Sequence, residues 1–365
     1  MVTILHCSDL HFDAKCHLKD PREIARQRER FKEIFASMIN YAAENSVQIM
    51  LVSGDLFDED YVARETVSLI HRELARLADC HVFISPGECD PYHSKSPYKQ
   101  LKWPGNVHIF KSNDLERVEL PELGVDIYGY AFMGKAQTIC PFTNKRPIDK
   151  ERLNIAIGHG DTTMLNSRAC PISKSDIEFS GFDYIALGHL HDASGILHLG
   201  SSHFAYPGCL EGRNFDETGH KGAIFGTLDK ANCDLKGVRF SKIRYVSADI
   251  DISECFNNEQ LLEYIITETR NVGDDTALRV TLTGKTTLDI DISALESGIE
   301  GKHFIEVIDQ TVLGHDLIAL RQDKTIKGVF FRRMEEKLLN SNETQKIQIL
   351  KAMQAGLNEL DPGGK

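Results

Sequence analysis

The chain has 365 residues, enough for roughly two to three domains, and its 41% apolar and 26% charged composition excludes a disordered or collagen-like chain. Its 42 basic and 54 acidic residues give a net charge of −12, so the surface as a whole does not carry the positive charge that binds nucleic acid. An anionic substrate must therefore meet a local source of positive charge, such as a bound metal ion, a helix N-terminus or a small basic patch.

The location of the protein is predicted from its apolar runs and its cysteines. No apolar run approaches the roughly 18 residues of a membrane helix, and residues 1–6 lack the basic and then apolar layout of a signal peptide. The nine cysteines are odd in number and show no pairing pattern, which favours free thiols in a reducing compartment. We therefore expect a cytoplasmic protein without a membrane segment.

The first half of the chain alternates short β-type runs with helical patterns. The predicted strands cover residues 2–7, 47–53, 81–85, 107–110, 125–131, 153–158, 184–188, 223–228 and 238–246. Amphipathic helices are predicted for residues 21–45 and 65–77. Because strands that alternate with helices form parallel βαβ units, the pattern predicts an α/β sandwich of two sheets.

The composition changes near residue 246. A small α+β unit is predicted there, with strands at residues 248–252, 277–283 and 302–309 and helices at 257–269 and 288–295. Two amphipathic helices follow from residue 324, with a break near residues 340–342, and residues 361–365 form a frayed tail. We therefore predict three regions: a core of residues 1–245, a capping domain of residues 246–318 and C-terminal helices in residues 319–365. The helices could pack on the chain itself or dock a partner helix.

Five short segments place Asp or His directly after a β-type run. They are Asp9-Leu10-His11, Gly54-Asp55, Gly87-Glu88-Cys89-Asp90, Gly158-His159-Gly160 and Gly188-His189-Leu190-His191. Imidazole nitrogen combined with carboxylate oxygen suits Mn, Fe, Zn or Co better than Ca or Mg. These groups are too many for one ion, but they fit two ions that share a carboxylate, an arrangement used to cleave phosphate esters.

The five motifs, in this order, resemble the calcineurin-like metallophosphoesterase superfamily, whose pattern is D-x-H, G-D, G-N-H-D/E, G-H and G-H-x-H. Within it, the chain resembles the SbcD-type DNA repair nuclease subunits, especially the YhaO branch. The supporting stretches are Asp90-Pro91-Tyr92, Ser96-Pro97-Tyr98, Tyr206-Pro207-Gly208 and residues 103–107 and 211–222. The resemblance rests on motifs over residues 1–230 and only on the layout of elements beyond them.

The resemblance implies a ligand set for two divalent ions that polarise a phosphodiester and activate a water molecule. One ion would be held by Asp9, His11, Asp55 and His191. The other would be held by Asp55, Glu88, His159 and His189, so that Asp55 bridges the two ions and is itself catalytic. Manganese is the metal that the resemblance implies, with zinc, iron and magnesium as alternatives.

The third motif departs from the family, because Gly87-Glu88-Cys89-Asp90 stands where the family has Gly-Asn-His-Asp. Glu88 can still bind a metal, but it adds one negative charge, so the ions should bind more firmly and act as weaker Lewis acids. Cys89 replaces the catalytic histidine that contacts the scissile phosphate and assists the leaving group. General acid–base assistance is typically worth about 10²–10⁴ in rate, so we expect a weakened or altered activity.

Several residues can be interpreted in two ways. Cys89 could be an inert space-filling residue, or a thiolate ligand that biases the site toward zinc. Asp58 and Asp90 are interpreted as turn residues or as partners of the ligands. Arg213 either contacts the substrate phosphate or forms a surface salt bridge, and His203 either lies near the substrate or is a residue at the edge of the core.

The predicted function is a two-metal-dependent DNA exo- or endonuclease subunit of an SbcCD-like DNA repair or defence complex. Its predicted partners are DNA and an SbcC-like coiled-coil ATPase, with a homodimer as a further option. One alternative is a catalytically decayed DNA-binding or scaffold subunit, which the change at Glu88 and Cys89 suggests. A second alternative is a phosphodiesterase for a small molecule, although such a substrate needs neither the capping domain nor the C-terminal helices.

Overall fold

The computed structural model describes residues 1–15, 21–273, 275–314 and 317–360. The chain divides into two compact units, Met1–Arg244 and Tyr245–Lys365. The division of the chain beyond residue 245 into a capping domain and separate C-terminal helices stays a prediction. The predicted tail at residues 361–365 lies outside the described residues.

The first unit contains all five motifs. Its strands are β1 (Val2–Cys7), β2 (Ile49–Val52), β3 (His81–Ile84), β4 (Val107–Ile109), β5 (Glu116–Leu120), β6 (Val125–Gly129), β7 (Leu153–His159), β8 (Tyr184–Gly188), β9 (Leu197–Leu199), β10 (Ser202–Ala205), β11 (Gly222–Leu228) and β12 (Cys233–Arg239). Its helices are α1 (Pro21–Glu44), α2 (Arg64–Ala75), α3 (Pro97–Gln100) and α4 (Lys174–Glu178).

The strands form two mixed sheets of six strands each. The first sheet has the order β12-β11-β1-β2-β3-β4, and the second has the order β5-β6-β7-β8-β10-β9. The run β1-β2-β3-β4 is parallel, and so is the run β6-β7-β8-β10. The predicted two-sheet α/β sandwich is therefore confirmed, and the ends of its parallel strands place the five motifs.

The single strand predicted for residues 238–246 is wrong, because the chain leaves the first sheet after Arg239. The backbone N–H groups of Lys242 and Ile243 donate to the carboxylate of Glu211, at 2.9 and 3.3 Å, rather than to a neighbouring strand. Arg30 also donates to this buried carboxylate, at 2.8 Å. A loop carboxylate, which the apolar pattern does not reveal, thus separates β12 from the next strand.

The alternation of side chains along β1 divides the core into layers. Val2 and Ile4 point into the apolar layer between the two sheets. Leu5 and Cys7 point the other way, into the layer that contains the buried face of α1. Because successive residues of a strand face opposite sides, one strand supplies both layers and its end is held firmly in place.

His6 is a fully buried polar residue between the sheets. Its Nδ1 lies 2.9 Å from the hydroxyl of Tyr184 in the second sheet, and its Nε2 lies 2.7 Å from the hydroxyl of Ser53 after β2. Burial lowers the pKa of His6 to about 3, because the charged imidazole would lose its hydration. The folded chain therefore holds His6 neutral at pH values where an unfolded chain would protonate it.

We expect acid to destabilise the first unit through His6. The unfolded chain takes up this proton below about pH 6.5, so stability that is present above this pH is lost as the pH falls towards 3. At pH 4.5 the loss should reach about 3 kcal/mol. Urea unfolding with chelator present, followed by the single tryptophan, Trp103, should show a shallower pH dependence for His6→Gln than for the wild type. Equal slopes would contradict the prediction.

The described residues of the second unit form five strands and five helices. The strands are β13 (Arg244–Asp251), β14 (Thr276–Thr283), β15 (Lys285–Thr286), β16 (Phe304–Asp309) and β17 (Val312–Leu313). The helices are α5 (Asn258–Thr269), α6 (Ile292–Gly298), α7 (Leu317–Gln322), α8 (Ile326–Leu339) and α9 (Glu343–Glu359). A three-stranded sheet has the order β13-β14-β16, and its apolar face packs with α5 and α6.

The predicted elements of this unit are present, but one helix is shifted and three elements, β15, β17 and α7, were not predicted. The helix predicted for residues 288–295 begins later, because the side chain of Asp291 caps α6 by accepting a hydrogen bond from the N–H of Ala294. Helix α7 was not predicted, and its Leu320 packs with Phe331 of α8 and Leu357 of α9. None of the helices in the described ranges is long and apolar enough to span a membrane.

Candidate metal centre

The residues predicted to bind metal ions lie at one edge of the first unit, where parallel strands of both sheets end. The ends of β1, β2, β3, β7 and β8 and the loops after them carry Asp9, His11, Asp55, Glu88, His159, His189 and His191. The strand register aligns these ends, since Cys7 pairs with Val52 and His159 pairs with Gly188. The structure therefore brings all seven side chains into one cluster.

The backbone of this cluster adopts conformations that are uncommon for residues with side chains. The φ angles are +52° at Asp9, +47° at His11, +50° at Asp55 and +112° at His189. Strain of this kind is concentrated at functional sites, where the surrounding structure enforces it. Gly87 is needed nearby, because a Cβ atom there would lie 2.2 Å from Oδ1 of Asp55.

One group of donors consists of Asp9, His11 and His191, whose ligand atoms all lie within 4.8 Å of one another. The Nε2 atoms of His11 and His191 are 3.2 Å apart, and Nε2 of His191 is 3.7 Å from Oδ1 of Asp9. Asp9 and His11 are almost completely buried. Two imidazoles and a carboxylate around one point form a ligand set suited to Mn, Fe or Zn.

A second group consists of Glu88, His159 and His189. Oε2 of Glu88 is 3.1 Å from Nε2 of His159, and Oε1 of Glu88 is 3.3 Å from Nδ1 of His189. Oδ2 of Asp55 is 3.6 Å from Nε2 of His159 and also 3.6 Å from Nε2 of His11 in the first group. Asp55 thus stands between the groups, where a bridging ligand of two ions would stand.

Three of the imidazoles are oriented by a second partner on their other nitrogen. Nδ1 of His11 lies 2.7 Å from Asp58, and Nδ1 of His191 lies 2.7 Å from Glu217. Nδ1 of His159 lies 3.0 Å from the carbonyl oxygen of Ser53. Partners of this kind fix the ring and leave Nε2 directed at a metal.

Two side-chain partners of this centre were not singled out from the sequence. Glu217 lies within the supporting stretch of residues 211–222, but nothing in that stretch indicated that it would meet His191. Oδ2 of Asp161 lies 3.7 Å from Nε2 of His189. Its only sequence signal is its place two residues after His159.

Asp90 connects two of the motif loops. Its carboxylate accepts hydrogen bonds from the N–H groups of Asp55 at 3.2 Å, Leu56 at 2.7 Å and Gly87 at 2.7 Å. It also accepts a hydrogen bond from the hydroxyl of Tyr98 at 2.6 Å. Asp90 therefore holds the loops that carry Asp55 and Glu88, which is the supporting role predicted as one of its two interpretations.

We expect Asp90→Asn to weaken metal binding without removing a ligand. An amide has one acceptor oxygen, so it cannot satisfy all four donors, and the loop of Asp55 should shift. Loss of a supporting partner typically costs about 10–100-fold in metal affinity, which calorimetric titration with Mn²⁺ would measure. Tyr98→Phe, which removes one donor and keeps the carboxylate, should have a much smaller effect. Unchanged affinity in Asp90→Asn would refute this role.

The electrostatics of the cluster favour bound cations. Burial alone would lower the pKa of His11, but the hydrogen bond to Asp58 and the charge of Asp55 hold that pKa above its usual value. For His159, too, the effect of burial is outweighed, chiefly by the charge of Asp55, and the pKa is raised. The carboxylates thus create an excess of negative charge that attracts positive charge of any kind.

Two unsatisfied atoms show that a metal ion fits this chemistry. Nε2 of His159 and Oε2 of Glu88 are buried atoms 3.1 Å apart, and neither has a hydrogen-bond partner among the described residues. Orphaned buried polar atoms are costly and require an explanation. A divalent cation between a neutral imidazole and a carboxylate would satisfy both atoms.

Cys89 lies at the border of the first group. Its N–H donates to Oδ1 of Asp55 at 2.9 Å, and the thiol has an intermediate exposure. Its sulfur, a donor atom of His11 and an oxygen of Asp58 all lie within 4.8 Å of one another. Burial and the charge of Asp55 raise the pKa of the Cys89 thiol above its usual range. The residue thus lies within reach of the ligands and carries a proton when no cation is bound.

The two residues predicted to contact substrate have different positions. Arg213 lies at the centre, with Nη2 at 3.0 Å from Nδ1 of His191 and with an ion pair to Glu217. His203 pairs with Tyr184 at the start of β8, whereas His189 follows the other end of that strand. The structure therefore does not bring His203 to the cluster, because the register of β10 places it at the opposite edge of the sheet.

Comparisons with known proteins define the class of this chain. The family model "Calcineurin-like phosphoesterase" matches residues 2–193, and the chain belongs to this family. The chain is also similar to individual proteins with related names. The chain is 28% identical to "Uncharacterized metallophosphoesterase YhaO" of Bacillus subtilis (strain 168) over 331 residues, which is 83% of this chain and 80% of that protein.

Two further relatives have names that refer to DNA repair or nuclease activity. "DNA double-strand break repair protein Mre11" of Thermoplasma acidophilum is 25% identical, over 66% of each chain. A protein of Staphylococcus epidermidis that is named as a component of the nuclease SbcCD is 24% identical, over 66% of this chain and 69% of that protein. The family depends on divalent metal ions, and the described residues include groups that can hold them. A metal-dependent phosphoesterase is thus the activity that the family indicates.

Proposed function

We propose that this protein is a two-metal-dependent DNA phosphodiesterase subunit. The observation that carries the proposal is the convergence of two donor groups on Asp55, which is 3.6 Å from an imidazole of each group. Two divalent ions bound there would polarise a phosphodiester and activate a water molecule for attack. Manganese remains the expected ion, and a cytoplasmic location remains a prediction.

The residues of the centre divide into binding and orienting roles. The proposed ligands are Asp9, His11, Asp55, Glu88, His159, His189 and His191. Asp58 and Glu217 would hold the imidazoles of His11 and His191 in the orientation that exposes Nε2. Arg213, beside His191, would offer a positive charge to an incoming phosphate.

DNA is proposed as the substrate because of the relatives. Two of them are named for DNA double-strand break repair and for a nuclease complex. The second unit would position DNA, and α8 and α9 would dock an SbcC-like coiled-coil ATPase. Leu339 on α8 is 80% exposed and Ile326 is 76% exposed, so the helices retain apolar surface after packing on each other. A homodimer is a further prediction from the resemblance.

The third motif favours a second candidate, a DNA-binding subunit whose chemistry has decayed. Cys89 stands at the position of the catalytic histidine, and a thiol is a poor hydrogen-bond donor. Burial and the surrounding carboxylates raise its pKa and make it a weaker acid still. We therefore expect the leaving group to depart with little help from this side chain, so that cleavage is slow even with both ions bound.

The test is cleavage of DNA by chelator-stripped protein after reconstitution with Mn²⁺ or Zn²⁺. Duplexes with free ends and single strands are compared with a nitrophenyl phosphodiester, with and without a coiled-coil ATPase. His189→Asn should lose activity, whereas His198→Gln on the distant strand β9 should keep it. Failure to cleave any DNA, together with turnover of the small ester, would overturn the assignment of DNA. Tight DNA binding without cleavage would favour the second candidate, a DNA-binding subunit whose chemistry has decayed.

A further inference from the structure

We propose that Cys89 is a metal ligand and that its sulfur makes the ion position at His11 selective for thiophilic divalent cations of the Zn²⁺ and Co²⁺ class. This inference rests on the proposed metal centre and assigns a thiophilic ion, rather than the manganese that the resemblance implies, to one of its two positions. The family's pattern has histidine at this position, so the property would belong to this chain and to relatives that share the change.

The geometry places the sulfur among other donors. Sγ of Cys89 lies within 4.8 Å of a ring nitrogen of His11, a proposed ligand, and within 4.8 Å of an oxygen of Asp58, which orients that ring. Ligands bound to one tetrahedral zinc ion, at about 2.0–2.3 Å from it, have separations within this range. The loop is also fixed, because the N–H of Cys89 donates to Asp55 at 2.9 Å and the carbonyl oxygen of Cys89 accepts from the N–H of Glu59 at 3.0 Å.

The charges around Cys89 favour a cation at its sulfur. Oδ1 of Asp55 accepts a hydrogen bond from the N–H of Cys89, and an oxygen of Asp58 lies within 4.8 Å of the sulfur. Lys135 forms an ion pair with Asp60, 2.5 Å away, so its charge is already engaged. A divalent ion would therefore bring its positive charge to the part of the cluster where negative charge is concentrated.

Binding of the cation to Cys89 releases one proton. The cation binds to Sγ, the S–H bond breaks, and the proton passes to the buffer. Thiolate sulfur is a soft ligand that binds zinc more readily than manganese, which prefers oxygen and imidazole. A centre with Cys89 as ligand should therefore contain one zinc-selective position, while the group of Glu88, His159 and His189 keeps only oxygen and nitrogen donors.

The experiment is a titration of the chelator-stripped full chain with Co²⁺, followed by absorption spectroscopy. A cobalt–thiolate bond gives a charge-transfer band in the near ultraviolet, and bound Co²⁺ gives d–d bands in the visible range. We expect both kinds of band in the wild type. Cys89→Ser should lose the charge-transfer band and keep the d–d bands. Cys233→Ser, which changes a thiol of similar exposure on β12, should keep both.

A second measurement compares metals by competition. Cys89→Ser should lower the affinity for Zn²⁺ relative to Mn²⁺ by about tenfold or more, because loss of a direct ligand should cost at least as much as loss of a supporting partner. Identical d–d bands in the wild type and Cys89→Ser, with no charge-transfer band in either, would overturn the inference and leave the metal centre intact. Absence of all cobalt bands in the wild type would overturn both the inference and the proposed function.

Discussion

Asp55→Asn is expected to abolish the activity of the protein while the fold is retained. Asp55 stands between the two donor groups, 3.6 Å from Nε2 of His11 and 3.6 Å from Nε2 of His159. An amide at this position has one ligating oxygen and no charge, so it cannot bridge two cations. Removing one preorganised electrostatic group typically costs about 10²–10³ in rate, and removing a bridging ligand should cost at least this much.

The loss should appear first in the binding of metal. Elemental analysis after dialysis should find two ions per chain in the wild type and fewer in Asp55→Asn. Asp234→Asn is a matched control, because it makes the same chemical change at an exposed position on β12. Trp103 fluorescence during urea unfolding in chelator would show that the variant is folded. Two retained ions and full activity in Asp55→Asn would contradict the bridging role.

The double substitution Glu88→Asn, Cys89→His is expected to raise the rate of phosphodiester cleavage by about 10²–10⁴ at saturating Mn²⁺. The imidazole restores a donor with a pKa near neutrality beside the phosphate. The amide removes one negative charge from the cluster, which should make the bound ions stronger Lewis acids. Single-turnover rates on a DNA duplex and on an activated nitrophenyl ester would measure the effect.

The two single variants separate the effect of the new imidazole from the effect of the removed negative charge. Cys89→His should account for most of the gain on DNA and for less on the nitrophenyl ester, whose leaving group needs no proton. Glu88→Asn should weaken metal binding, because Glu88 lies 3.1 Å from His159 and 3.3 Å from His189 in the second group. A double variant less active than the wild type would show instead that Glu88 and Cys89 are adapted to the natural reaction.

The sequence located the candidate ligands because motif and strand are adjacent along the chain. Asp9 follows β1 by two residues and His189 follows β8 by one, so their positions depend on the strands that precede them. Parallel strands end at the same edge of a sheet, which makes their convergence predictable. The family pattern then supplied the assignment of each residue to an ion.

The partners of the ligands could not be predicted in the same way. Glu217 meets His191 across 26 residues that include β9 and β10, and it lies in a loop without a periodic pattern. Asp90 was assigned to a turn or to a partner of the ligands, and only the structure shows its four hydrogen bonds to two loops and to Tyr98. For His203 the sequence prediction failed in the other direction. A histidine suits the chemistry of the site, but the register of β10 against β8 places His203 away from it.

The sequence by itself indicated the family, the strands that carry the five motifs and the candidate ligand residues. These depend on local patterns: alternating apolar residues, glycines at tight turns, and acids and imidazoles placed directly after strands. The tertiary structure alone decided which atoms meet, including the position of Asp55 between two groups and the closeness of Cys89 to His11 and Asp58. The reason is that distances between side chains from separate strands are set by strand register and loop packing, which the local sequence does not specify.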